Sequence, residues 1–109
     1  MENNLNPAHC PAMDTIALIG GRWKVVILHV LSKHARRFGE ISVRVPSISR
    51  KVLTEQLKEL EADGLISRKQ YNELPRKVEY ALTEYGESLC PLLAYIAAWT
   101  KESVHTRLN

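Results

Sequence analysis

The stretch that decides the fold runs from Ser47 to Gly86 and reads SISRKVLTEQLKELEADGLISRKQYNELPRKVEYALTEYG. Ser49 is a residue type that accepts hydrogen bonds from the first turn of a helix. Leu53, Leu57 and Leu60 follow at i, i+4 and i+7, one apolar stripe on one helix face. Gly64, just after Asp63, stands where a helix-ending glycine belongs. Two strand-like runs come next, Leu65 to Tyr71 and Lys77 to Leu82, joined by Asn72-Glu73-Leu74-Pro75-Arg76. Thr83 then caps another helix, with Tyr85-Gly86 in its first turn.

Upstream, Pro11 suits the first position of a helix. Met13, Ile16, Ala17 and Ile19 follow it until Gly20-Gly21 interrupts the run. A second helix is expected over about 22–32, with Trp23, Val26, Ile27, Val30 and Leu31 on its apolar face. The connector Lys33-His34-Ala35-Arg36-Arg37 has room for a short extended piece. A short helix over about 38–45 presents Phe38, Ile41 and Val45, and Pro46 ends it. Downstream, Leu89, Leu92, Leu93, Ile96, Trp99 and Ser103 or Val104 continue the Thr83 helix at 3-4 spacing. Cys90-Pro91 then falls inside that helix, which makes Cys90 a packing residue in the first instance.

The order is helix, helix, short helix, helix, strand, strand, helix. A two-stranded hairpin does not stand alone in water, so it packs on the helices. The expected fold is mainly α with a small antiparallel β-hairpin, an α+β winged helix-turn-helix. It forms one domain over 1–109, with a DNA-binding core at about 22–82 and a wing near 71–77. Helices at about 10–21 and 83–105 are left for dimerisation. Such a layout holds one helix in the major groove and a hairpin beside the backbone.

Charge favours that use. The chain has 109 residues and a net charge of +3. Residues 22–58 carry nine Lys and Arg against Glu40 and Glu55, so this segment is +7 and the remainder −4. A basic block in an otherwise acidic chain fits a polyanion, although a solvated surface has the same composition. At 100° per residue, Leu53, Leu57 and Leu60 fall within an arc of about 60°. Arg50, Lys51, Thr54 and Lys58 lie roughly 50–150° round from them. Arginine suits guanine, and threonine suits the thymine methyl. Glu55, beside them, either accepts from a cytosine amino group or pairs with Lys51 or Lys58. Ser49 completes the candidate reading helix. Arg37, Arg68, Arg76 and Lys77, with Lys69, are candidate backbone contacts; charge on an edge hairpin also guards against aggregation.

Cys10 precedes Pro11 at a helix start, where the helix dipole favours negative charge, and His9 adjoins it. It is a candidate sensor thiol or an inert residue. Cys10 and Cys90 stand alone, with no CxxC and no histidine at ligand spacing, so no metal site is expected. No GxSxG, HExxH, phosphate loop or GxGxxG is present, and neither an enzyme nor a cofactor is expected. No apolar run approaches the ~20 residues of a membrane span. The first residues lack the pattern of a secretory signal, which gives a cytoplasmic expectation.

These residues resemble the HxlR family of bacterial winged-helix regulators, within the MarR-like group. The resemblance lies in Cys10-Pro11, in Leu18 through Lys24, in Ile27-Leu28, in Arg37 through Ile41, in Ser49 through Thr54, in Leu57 through Ile66 and in Val78 through Gly86. It implies a homodimer on a pseudo-palindromic operator in double-stranded DNA, with an interface built from the first and last helices. Ile16, Leu89, Leu92, Leu93, Ile96 and Trp99 are the candidates for that interface. Some members sense thiol-reactive compounds through a cysteine that matches Cys10. Other members have unknown signals, so the resemblance does not identify a small-molecule effector. The wing departs from the family, with Pro75-Arg76-Lys77 where Pro-Pro often precedes the basic residue. A winged-helix module that binds protein through the same face is the alternative reading.

Overall fold

Pro11 does open a helix, and the chain then follows the expected order. A computed structural model describes residues 10–108, and the side chains of residues 10–103. The elements are α1 (Pro11–Ile19), α2 (Lys24–Leu31), α3 (Phe38–Arg44), α4 (Arg50–Ala62), β1 (Ile66–Tyr71), β2 (Lys77–Leu82), α5 (Glu84–Glu87) and α6 (Cys90–Leu108).

Local chemistry explains most boundaries. The Cys10 carbonyl accepts from the Met13 and Asp14 amides at 3.0 and 3.2 Å. At α3, the Arg37 amide donates to Glu40 Oε1 at 2.8 Å. Arginine offers no acceptor in return, so only half of a reciprocal capping pair forms. Ser49 Oγ accepts from the Val52 amide at 3.0 Å and starts α4. Gly64 takes φ +79° at the other end, which lets the Leu65 amide return to the Leu60 carbonyl at 3.0 Å.

The core lies between the helices and the root of the hairpin. Ile27, Leu28, Leu31, Ile41, Val45, Leu53, Leu57, Leu60, Leu65 and Ile66 are buried. Phe38, Ile48, Tyr80 and Leu82 pack around them. β1 and β2 pair antiparallel from Ile66↔Leu82 to Tyr71↔Lys77. The extended piece in the connector is present: Arg36 bridges Tyr80 on the far side of β2, through bonds of 2.9 and 2.8 Å. The wing is thereby tied to the helical core at two places along β2, its root and Tyr80.

Three expectations need correction. The helix begun by Thr83 does not run on to the C-terminus. Thr83 Oγ1 accepts from the Gly86 amide at 3.0 Å, but α5 ends after one turn. Pro91 has no amide hydrogen to continue it, and the Ser88 and Leu89 amides tighten onto Tyr85 and Gly86 at 3.2 and 3.1 Å. A new helix, α6, starts at Cys90, so Cys90 lies in a first turn, half-buried, and not inside a core. In α2 the buried face is Ile27, Leu28, Val30 and Leu31. Val26 is exposed, because the buried arc centres on Ile27 and Leu31 and takes in Leu28, which leaves Val26 outside it.

Candidate nucleic-acid interface

α4 separates its chemistry by face. Leu53, Leu57 and Leu60 are almost fully buried, while Arg50, Lys51, Glu55 and Lys58 are exposed. Thr54 is half-buried, and its hydroxyl donates to the Arg50 carbonyl at 2.8 Å. This leaves its methyl group as the part free to meet a base. Glu55 pairs with neither Lys51 nor Lys58 among the described residues, and the only acidic group of α4 in a described ion pair is Glu59.

Glu59 Oε1 meets Lys24 Nζ at 2.7 Å, and the Lys24 side chain is only 12% exposed. One cation of the basic block therefore clamps α2 to α4 and is not available to a ligand. The Arg50 guanidinium stacks over the Phe38 ring at 4.8 Å. That contact sets the N-terminus of α3 beside the N-terminus of α4, two positive dipole ends together. Arg37 is exposed at the same corner. Glu40 also lies there; its backbone hydrogen bond to Arg37 and the charges of Arg37, Arg36 and Arg44 hold its carboxyl below the usual range.

The wing divides its cations differently. Arg68 and Arg76 are exposed. Lys77 Nζ lies 3.6 Å from Glu79 Oε2 and 4.9 Å from the Tyr71 ring centre, so it is held on the hairpin. Lys69 Nζ sits 4.8 Å from the same ring. Tyr71 Oη donates to Glu79 Oε1 at 2.9 Å, and this bond raises the phenol above its ordinary pKa. Reading the sequence found these cations but not their partners. The signal was available: in an antiparallel pair Lys69 stands opposite Glu79, and Tyr71 opposite Lys77.

α6 presents two stripes. Cys90, Leu93, Ala94 and Ala97 face α2 across a cleft of about 530 Å³ that Val25, Val26 and His29 also line. Leu89 and Leu93 pack against the chain's own core. Leu92, Tyr95, Ile96 and Trp99 are exposed, as are Met13 and Ile16 on α1. Between these helices runs an apolar groove of about 350 Å³, lined by Ala12, Thr15, Ile16, Ile19, Leu92 and Ile96. Cys10 is half-buried at the start of α1; His9 lies outside the described residues, as does the Val104 side chain. Among the described residues no group of His, Cys, Asp and Glu could hold a metal ion. No described helix is long and apolar enough to cross a membrane.

Known proteins share this arrangement. The model of the HxlR-like helix-turn-helix family matches residues 18–107. The chain is 51% identical over 85 residues to YtcD, an uncharacterized HTH-type transcriptional regulator of Bacillus subtilis, covering 78% of this chain and 68% of YtcD. Among solved structures, the redox regulator HypR in its reduced form is 40% identical, with a TM-score of 0.80 over 84% of this chain and 91% of HypR. Diamide-treated YodB from B. subtilis is 41% identical, with a TM-score of 0.74 over 85% of this chain and 93% of YodB. With the family model spanning residues 18–107 and relatives this similar, the chain belongs to the HxlR-like helix-turn-helix family.

Proposed function

We propose that this chain is a transcriptional regulator that binds double-stranded DNA as a homodimer, with α4 of each copy in a major groove. The observation that carries this reading is the exposed face of α4: Arg50, Lys51 and Lys58 project away from the buried leucines, beside the start of α3 at Arg37 and Phe38. Ser49 and Glu55 border that face. Arg68 and the wing tip contact the backbone on either side. Two-fold symmetry spaces two such helices about one DNA turn apart, which requires a pseudo-palindromic operator. The apolar groove of α1 and α6 supports the dimer, since Ile16, Leu92, Ile96 and Trp99 remain exposed among the described residues. The test is a gel shift on genomic fragments selected by the purified protein. The double substitution Arg50→Ala, Lys51→Ala costs about 1–3 kcal/mol for each residue that reads a base. Unchanged operator binding overturns the assignment of α4. No binding to any duplex at low salt would instead favour a module that binds acidic protein partners.

The second part of the proposal is a thiol response through Cys10. HypR is a redox regulator, and YodB was crystallised after diamide treatment. In this chain Cys10 caps the helix that forms one wall of the groove for the second copy, so modifying it acts on the dimer. Diamide lowers or raises operator affinity in the wild type, and Cys10→Ser abolishes that response. An equal response in both proteins rejects Cys10 as the sensor.

A further inference from the structure

The hairpin carries more cations than it has to give. On one face, β1 supplies Lys69 and Tyr71, and β2 supplies Lys77 and Glu79, with Tyr71 opposite Lys77 and Lys69 opposite Glu79. Each of the four touches another: Tyr71 Oη bonds Glu79 Oε1 at 2.9 Å, Glu79 Oε2 lies 3.6 Å from Lys77 Nζ, and both ammonium groups lie within 5 Å of the Tyr71 ring centre, at 4.8 and 4.9 Å. The Lys77 and Glu79 side chains are 29% and 25% exposed, so the pair is only partly open to water and salt. Arg76, next in the chain to Lys77, is in a different position. It is exposed at the tip, beside a shallow notch it shares with Asn72, Glu73 and Leu74. It makes no ion pair among the described residues, Glu73 included.

We propose that Glu79 is a positioning residue of the wing: it holds Lys77 and Tyr71 in one network, so that Arg76 is the tip cation given to DNA phosphate. This rests on the DNA-binding reading above and adds which wing charge does the work. Counterion release makes it measurable. A cation already matched by a carboxylate has fewer condensed ions to displace from DNA on contact, whereas a free guanidinium displaces its full share. The slope of log affinity against log salt therefore counts Arg76 and omits Lys77.

The experiment is fluorescence anisotropy of the full chain with a labelled duplex of about 30 base pairs, from roughly 50 to 200 mM salt. Arg76→Ala lowers the slope by about 0.9 for each chain, about 1.8 for the dimer, which makes roughly a 12-fold difference in affinity change across that range. Lys77→Ala leaves the slope as it is. Glu79→Gln keeps an oxygen for Tyr71 but removes the charge, so Lys77 is released and the slope rises by about 0.9 for each chain, about 1.8 for the dimer. Adding Lys77→Ala to Glu79→Gln returns the slope to the wild-type value, an outcome that loss of hairpin structure does not produce. The proposal is overturned if Lys77→Ala lowers the slope as far as Arg76→Ala does, or if Glu79→Gln leaves it unchanged with a wild-type melting temperature. Wild-type protein that binds no duplex at the lowest salt overturns the DNA-binding reading itself, a result distinct from either.

Discussion

α4 is an amphipathic helix and α6 carries apolar residues on two faces, so they leave opposite things on the outside. α4 buries its three leucines and exposes cations, so its outward face is complete in water and attractive to a polyanion. α6 places small residues toward α2 and leaves Tyr95 70% exposed, Trp99 61% and Ile96 47%. Large apolar side chains at i, i+3, i+4 and i+7 on one open face are unfinished burial. Exposure therefore calls for different partners in the two helices: on the proposed function, the α4 face would meet phosphate and bases and the α6 face another apolar surface.

The largest effect comes from the buried side of this contrast. Leu57→Ala removes a fully enclosed side chain and costs about 2–5 kcal/mol in denaturant unfolding, whatever the protein concentration. Trp99→Ala, by contrast, lowers stability in a concentration-dependent way, because the area it loses lies between chains. If dilution does not change the Trp99→Ala effect, the contrast fails and α6 completes only its own domain. Next comes Trp99→Glu, which puts a charge in the α6 face. Sedimentation is expected to shift from two chains to one, with operator affinity falling at least about tenfold, which is 1.4 kcal/mol. Smaller again is Ser49→Ala, which removes the acceptor for the Val52 amide and costs about 1 kcal/mol.

The smallest effect is one of pH, at the corner where α3 meets α4. The Glu40 carboxyl is held below its ordinary value of 4.5, so the folded state favours the carboxylate. Its contribution is complete above 4.5 and is lost as the pH falls through the lower folded value. The melting temperature of the wild type is expected to exceed that of Glu40→Gln near neutrality and to converge with it in acid. A gap that persists unchanged in acid would mean that the charge on Glu40 is not what caps α3.

The sequence made α4 legible because its stripe is unambiguous: three leucines on one side and no large apolar residue on the other. α6 was harder to read. Leu89, Leu92, Leu93, Ile96 and Trp99 satisfy a single 3-4 pattern, yet they belong to two faces, one toward the core and one away from it. Periodicity counts apolar residues but does not say which chain covers them. The Thr83 cap was correct, but the helix it starts lasts one turn, since Pro91 outweighs the apolar pattern beyond it. A sum of charges does not show which are already paired: Lys24 belongs to Glu59, a pairing that needs tertiary contact to see, whereas Lys77 and Glu79 are two residues apart on one face of β2.

Thr83 has a further consequence. Its hydroxyl donates to the Gly64 carbonyl at 2.6 Å while accepting from Gly86, and its amide bonds the Leu65 carbonyl at 3.1 Å. Gly86 fits only because it lacks a side chain, as a Cβ there would run into the same Leu65 carbonyl. The exit of α4 and the entry to the C-terminal helices are thus riveted at a single joint, with the hairpin hanging from it. In the proposed dimer, torque applied to α6 by a second copy would pass through this joint to the tail of α4, and the seating of one chain on the other would trim the pitch of the proposed reading helix.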